Sequence, residues 1–168
     1  YNDPRRFGYF LTFKNKKQLN FFFNRFGPEP FSSLFSKNYI LKYLKNKKKN
    51  IKNFLLDQKF VSGIGNIYAN EILYLCKINP MKKAKTLKTN DCKKLVYFSK
   101  LVLKDAIKRG GSTIKNFKNI SGDQGQFQKD FKVYDRNNLK CLRSRCNGTI
   151  IKKTISNRSS FFCNICQK

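Results

Sequence analysis

The chain has 168 residues, enough for one well-packed core or two small domains. Its 37 Lys and Arg residues oppose only nine Asp and Glu residues, so the net charge is +28. Such an excess is costly for a compact fold and favours a polyanionic partner. No apolar run reaches membrane-spanning length, no segment is typical of a signal peptide, and the absence of histidine excludes imidazole acid–base chemistry within these residues.

The first half of the chain predicts a strand followed by helices. Residues 8–14, GYFLTFK, predict a β-strand, and residues 20–35 look irregular, with GPEP at 27–30 as a boundary. Helical spacing follows over residues 33–50. The core contacts expected there are Leu34, Tyr39, Ile40, Tyr43 and Leu44.

Further helices are predicted over residues 51–58, over residues 67–77, and from a cap at Asn90 and Asp91 to Ile107. Three further elements are predicted beyond this helix: a short helix capped by Ser112 or Thr113, a glycine-containing loop over 119–127, and a strand over 129–135, KDFKVYD.

A glycine-rich turn precedes the second of these helices, in the sequence KFVSGIGNIYANEILY at 59–74. Gly63 and Gly65 can adopt φ > 0 or allow another backbone to come close, and Asn66 stands where an N-cap is expected. Such a turn directs backbone N–H groups and the helix dipole at one point, which suits a phosphate. The alternative is an ordinary capped helix after a flexible turn.

Four cysteines near the end of the chain have metal-site spacing. They form a C-x4-C pair and a C-x2-C pair separated by sixteen residues, the pattern of a tetrahedral zinc site. Four thiolates leave no open coordination position, so one Zn²⁺ would be structural. Two disulfides are the alternative, which the missing signal peptide disfavours. The four are Cys141, Cys146, Cys163 and Cys166, whereas Cys76 and Cys92 are expected to be buried thiols.

The segment between the two cysteine pairs predicts a β-hairpin. Residues 148–162, GTIIKKTISNRSSFF, alternate weakly and turn at Ser156 and Asn157. Arg158 follows directly after the tip.

Together these motifs resemble the C-terminal part of the formamidopyrimidine-DNA glycosylase family, bacterial repair enzymes for oxidised purines. Endonuclease VIII, the sister family, is less similar at DPRRFG, residues 3–8, and at GNIYANE, residues 65–71. The first cysteine pair, the knuckle from Cys141 to Cys146, has four intervening residues where the family usually has two. The matching motifs are DPRRFG at 3–8, GPEP at 27–30, GIGNIYANE at 63–71, GGSTIKNF at 110–117, GQFQKDFKVYDR at 125–136 and NRSSFFCNICQK at 157–168.

The resemblance implies a mainly α fold with a small β component. Residues 1–28 would be a remnant of the family's N-terminal catalytic β-sandwich. Residues 29–130 would form the helix–two-turn–helix domain, and residues 131–168 the zinc-ribbon hairpin. The implied partner is double-stranded DNA containing an oxidised purine or an abasic site, bound by a monomer in the bacterial cytoplasm, without a membrane.

The resemblance also implies DNA-binding residues. Asn66 and the helix behind it would hold one phosphate, with Lys59 nearby and Arg158 reaching the same backbone from the hairpin. Phe7 would wedge into the base stack from the minor groove, and Arg5 would meet the base left unpaired when the lesion flips out. Read without the resemblance, Phe7 is a core residue of the first strand, and Lys59 and Arg158 are solvated charges. Tyr134 would lie near the DNA groove, and residues 121–127 would form the loop over the flipped base.

Catalysis is where the sequence departs from the family. The family's reaction uses an N-terminal proline amine, an adjacent glutamate and a lysine on a hairpin of the N-terminal domain, whereas this chain starts with Tyr1 and its only glutamates are Glu29 and Glu71. Glu71 would have a supporting role, or be a helix surface charge. We therefore expect a segment of a DNA glycosylase with AP lyase activity that binds DNA but is inactive alone. The alternatives are a catalytically dead nucleic-acid-binding remnant and, more remotely, an unrelated RNA-binding zinc ribbon.

Overall fold

The computed structural model describes residues 6–112 and 125–168; residues 1–5 and 113–124 lie outside the described part. The described ranges contain five α-helices, two 3₁₀ turns and one two-stranded antiparallel sheet. The elements are α1 (Lys16–Phe23), α2 (Lys37–Leu44), α3 (Ile51–Leu55), α4 (Asn66–Cys76), α5 (Thr89–Lys108), β1 (Ile150–Ile155) and β2 (Arg158–Cys163), with 3₁₀ turns at Ala84–Thr86 and Phe127–Asp130.

The predicted fold class, mainly helical with a small β-hairpin, is confirmed. Helix α4 is the centre of the molecule, because it packs against α3, α5 and β2. It is buried almost all round, from Ala69 to Tyr74 and again at Cys76, and this buried stretch includes the polar residues Asn70 and Glu71. Within the described ranges, no helix is long and apolar enough to cross a bilayer.

The strand predicted over residues 8–14 is wrong. These residues are irregular, and no strand pairs with them in the described part of the chain. Aromatic residues favour a strand, but a strand forms only where a neighbouring strand supplies hydrogen-bond partners for its backbone N–H and C=O groups. Residues 20–23, predicted to be irregular, are the end of α1, which begins after Asn15 because the Asn15 side chain accepts a bond from the Gln18 N–H at 3.0 Å.

The predicted helix over 33–50 is shorter in the structure. Ser36 caps α2 by accepting a bond from the Tyr39 N–H at 3.2 Å, so Leu34 precedes the helix and is 71% exposed, contrary to the prediction. Ile40 and Leu44 are buried as predicted, and Tyr39 and Tyr43 pack partly buried against the core. The next predicted helix, 51–58, ends at Leu55.

The predictions for the later elements are partly confirmed. Helices α4 and α5 are close to the predicted ranges, although the Asp91 side chain accepts from the Lys88 N–H at 3.1 Å within the first turn of α5, so it does not precede the helix as a cap. The strand predicted over 129–135 is wrong, because the 3₁₀ turn and irregular backbone occupy it. The short helix predicted after Ser112 lies outside the described residues.

The predicted hairpin is confirmed. Strands β1 and β2 pair from Ile150 with Cys163 to Ile155 with Arg158. Ser156 and Asn157 both have positive φ, 49° and 59°. A two-residue turn of this kind matches the twist of the two strands that it connects.

The boundary segment beginning at Gly27 is attached to the chain ahead of α4. The Gly27 N–H donates to the Gln58 carbonyl at 2.8 Å, and the Ser62 N–H donates to the Pro28 carbonyl at 3.2 Å. A Cβ atom at Gly27 would collide with the Phe60 carbonyl, so only glycine fits this close approach.

Candidate nucleic-acid interface and metal centre

The turn that opens α4 is held by the side chain of Gln58. Its Oε1 accepts from the Gly63 N–H at 2.8 Å, and its Nε2 donates to the Ile64 carbonyl at 3.5 Å. Gly63 has φ +85°, as the glycine of such a turn requires. The predicted N-cap is wrong, because Gly65 occupies that position and Asn66 is the first helical residue. With no side chain capping α4, its first N–H groups can bind an anion.

Asn66 joins the start of α4 to the hairpin. Its Nδ2 donates to the Ser159 carbonyl at 3.1 Å, while its buried Oδ1 has no hydrogen-bond partner among the described residues. One turn on, Asn70 donates to the Asn66 carbonyl at 2.7 Å and accepts from the Phe161 N–H at 3.0 Å. The hairpin residue next to Arg158 is therefore fixed against the helix N-terminus.

Arg158 is exposed, beside a cleft between the helices and the hairpin turn. The cleft has a volume of about 280 Å³, and Lys49, Asn53 and Ser156 also line it. Ser156 Oγ donates to Asn53 Oδ1 at 2.9 Å, which attaches the turn to α3. Two cationic side chains, Lys49 and Arg158, and one carboxylate, Asp57, thus line one opening.

Lys52 is a functional candidate that the sequence reasoning missed. It is fully buried, and its Nζ donates to the Ser159 carbonyl at 2.9 Å and the Ser160 hydroxyl at 2.6 Å. Burial, together with repulsion from the Arg158 cation, lowers the pKa of Lys52 to about 8. Helical spacing could have indicated that Lys52 is buried, because it lies three residues before the core residue Leu55 and so shares a face of α3 with it.

The other predicted DNA-binding residues are exposed or lie outside the described residues. Lys59 is exposed, and its backbone N–H donates to Asp57 Oδ1 at 2.9 Å. Phe7 is 78% exposed and so is not a core residue. Arg5 lies outside the described residues, as do residues 121–124 of the predicted loop.

Glu71 organises the segment that leads to the cysteines. It is 3% exposed, and its carboxylate accepts the backbone N–H groups of Lys132, Val133 and Tyr134 at 2.9, 3.0 and 2.9 Å. Burial raises the pKa of Glu71, and the three hydrogen bonds oppose that rise. Glu71 is therefore not a surface charge: it fixes the backbone that carries Tyr134, whose ring packs on Phe161 at 5.1 Å.

The four predicted metal ligands converge. All their sulfur atoms lie within 4.8 Å of one another, with Cys141 and Cys166 at 3.9 Å and Cys146 and Cys163 at 3.7 Å. A tetrahedron with zinc–sulfur bonds of ~2.3 Å has edges of ~3.8 Å, so the sulfur positions fit one zinc ion. All four cysteines are free, as the zinc interpretation requires and the disulfide alternative does not allow.

The surroundings of the cysteines support a closed structural site. Burial would raise the pKa of the Cys141 thiol, but hydrogen bonds from Tyr74 and from the Arg143 backbone outweigh it and lower the pKa to about 7. A Cβ atom at Gly148 would collide with the Cys163 sulfur, so this glycine leaves room for the ligand. Cys76 and Cys92 are buried thiols, as predicted, and burial raises the pKa of Cys92 to about 11.

Comparison with known proteins gives consistent matches. The model of the formamidopyrimidine-DNA glycosylase H2TH domain matches residues 26–118. The formamidopyrimidine-DNA glycosylase of Wolbachia pipientis wMel is 45% identical over 99% of this chain and 60% of that protein, and that of Histophilus somni (strain 129Pt) is 44% identical over 100% and 61%.

Solved structures agree with these matches. The MutM (Fpg) protein of Thermus thermophilus superposes with a TM-score of 0.85 at 32% identity, covering 98% of this chain and 62% of that one. A complex of Lactococcus lactis Fpg with DNA containing an abasic site superposes with a TM-score of 0.81 at 34% identity, covering 92% and 56%.

Fold and sites together define an H2TH protein with a C-terminal four-cysteine hairpin. The chain belongs to the formamidopyrimidine-DNA glycosylase family. It spans about 60% of the length of the relatives it matches.

Proposed function

We propose that this chain is the DNA-binding part of a DNA glycosylase with AP lyase activity that excises oxidised purines during base-excision repair. The observation that carries the proposal is the contact between Asn66 and Ser159, because it places an uncapped helix N-terminus beside Arg158. A net charge of +28 and relatives named formamidopyrimidine-DNA glycosylases support the same function.

Asn66, Lys59 and Arg158 hold the DNA backbone in this proposal. Arg158 and the N-terminus of α4 neutralise the phosphates that flank the damaged nucleotide, and Lys59 adds a contact near the turn before α4. Such contacts position the duplex without reading its sequence, so binding weakens steeply with salt.

Phe7 and Arg5 act at the lesion. Phe7 is 78% exposed, and in this proposal its ring wedges between base pairs and compensates for the stacking lost when a nucleotide flips out. Arg5 faces the base opposite the lesion, a role that rests on the resemblance of DPRRFG at 3–8 to the family motif. Tyr134, held by Glu71, contributes to the floor of the groove.

The segment binds damaged DNA as a monomer and does not by itself excise the base. None of the motifs matched by these 168 residues contains the family's catalytic proline, its adjacent glutamate or its hairpin lysine. In this proposal Glu71 acts by positioning the backbone at residues 132–134. Cys141, Cys146, Cys163 and Cys166 would hold one Zn²⁺, which when bound cross-links the hairpin and supplies no reactive position. The second candidate function is a catalytically inactive protein that only binds nucleic acid, because such a protein would use the same surface at Asn66, Lys59 and Arg158.

The experiment measures binding and chemistry separately. Fluorescence anisotropy with an abasic-analogue duplex and a matched undamaged duplex should show tighter binding to the former. Borohydride trapping with a duplex containing 8-oxoguanine should give no adduct with this chain alone. A stoichiometric adduct would contradict the proposed division of labour, and equal affinity for both duplexes would favour the remnant.

A further inference from the structure

Tyr74 connects the centre of the helical core to the cysteine cluster. It lies on α4, is 3% exposed, and its hydroxyl is 3.3 Å from the Cys141 sulfur. A buried phenol requires a hydrogen-bond partner, and this sulfur is the partner that the structure gives it. Its neighbours are those of the smaller core that surrounds the cysteines: Val133, Cys141, Ile150, Phe161 and Cys163.

Arg143 also contacts Tyr74. Its guanidinium donates to the Tyr74 carbonyl at 2.8 Å, and the guanidinium carbon lies 4.9 Å from the centre of the Tyr74 ring. Arg143 lies between Cys141 and Cys146, in the knuckle with four intervening residues. The longer knuckle thus places the Arg143 guanidinium in contact with Tyr74 on α4.

We propose that Tyr74 and Arg143 are positioning residues of the zinc site, through which α4 holds the Cys141 ligand and retains the metal. A zinc-bound cysteine is a thiolate and can only accept, so the Tyr74 hydroxyl donates to it. Four thiolates and one Zn²⁺ carry two net negative charges, which the nearby Arg143 cation partly offsets.

This arrangement links the metal site to the N-terminal end of the same helix. Asn66 at the start of α4 contacts the hairpin at Ser159, and Tyr74 near its end contacts the hairpin's ligand set at Cys141. Helix α4 thereby contacts the hairpin at Ser159 and the preceding cysteine pair at Cys141, at two points eight residues apart along the helix. The inference rests on the zinc site of the proposed function, but not on DNA binding or glycosylase activity.

The test compares zinc retention in the full chain and in Tyr74→Phe, which removes only the hydroxyl. Zinc release to a colorimetric chelator should show affinity lower by roughly 10–100-fold in the variant, the usual cost of losing an outer hydrogen bond. Tyr97→Phe is the matched control, because Tyr97 is a 63% exposed tyrosine on α5. Its zinc affinity should equal that of the unmodified chain.

A spectroscopic measurement separates positioning from stability. With Co²⁺ in place of zinc, the thiolate-to-cobalt charge-transfer band should shift in Tyr74→Phe and not in Tyr97→Phe. Arg143→Gln should release zinc faster than Arg143→Lys, since lysine keeps the charge. Unchanged zinc affinity and an unchanged cobalt band in a folded Tyr74→Phe would overturn the inference, whereas an unmodified chain without stoichiometric zinc would overturn the zinc site as well.

Discussion

Lys52 on α3 donates a hydrogen bond to the Ser160 hydroxyl on β2 at 2.6 Å, across 108 residues of sequence and without exposure to solvent. A buried ammonium next to the Arg158 cation is an unfavourable element of the fold, which its two hydrogen bonds only partly offset.

Stability should therefore depend on pH through Lys52. Its pKa is lowered from 10.5 to about 8, so between these values the unfolded chain binds more protons and stability rises with pH. The free energy of unfolding of the unmodified chain, relative to Lys52→Met, should increase by about 2 kcal/mol from about pH 7.5 to about pH 9.5. Urea denaturation measures it, with Lys104→Met, an exposed site on α5, as control. A constant difference between unmodified chain and Lys52→Met would contradict the buried ammonium.

Glu71→Gln should destabilise the segment at 132–134. A glutamine amide group must face at least one of the three N–H donors that the carboxylate now accepts, which leaves a buried donor unpaired. We expect a loss of about 2 kcal/mol in thermal or urea unfolding and faster amide exchange at Val133 and Tyr134. Asp105→Asn, an exposed acid-to-amide change on α5, should leave both unchanged. Protected amides in Glu71→Gln would refute this role.

Lys59→Ala should weaken binding to damaged and undamaged duplexes by about the same factor. A phosphate contact releases roughly one counterion, so the slope of log affinity against log salt should become shallower by about one. Anisotropy titrations over a salt series measure the slope. Lys104→Ala is the control, and a loss confined to the damaged duplex would mean that Lys59 reads the lesion instead.

Cys163→Ser should abolish stoichiometric zinc and unfold the hairpin before the helices. Structural zinc supplies much of the folding free energy of so small a unit, whereas α5 packs against α2 and α4. Elemental analysis and hydrogen exchange should show lost metal and lost protection over 150–163, with α5 still protected. Cys92→Ala removes a thiol outside the site and should keep the metal. Full zinc occupancy in Cys163→Ser would remove Cys163 from the ligand set.

Local signals made part of this structure predictable. The spacing of the four cysteines and the turn at Ser156 and Asn157 depend on residues near one another in sequence. The four sulfur atoms do converge, as a zinc site requires, and the predicted turn is confirmed. The buried Lys52 and the three bonds to Glu71 depend on residues more than 60 positions away, which local periodicity does not reveal. The strand at 8–14 failed for the same reason, since a strand is defined by its partner.

The close fit at Gly27 has a mechanical consequence. Because the Gly27 N–H donates to the Gln58 carbonyl and the Ser62 N–H donates to the Pro28 carbonyl, we expect residues 27–28 and 58–62 to move together. Gln58 in turn holds Gly63, so we expect a displacement of residues 27–28 to reach the turn that opens α4. The boundary is thus coupled to the start of α4, and a longer or looser connection there should uncouple the two.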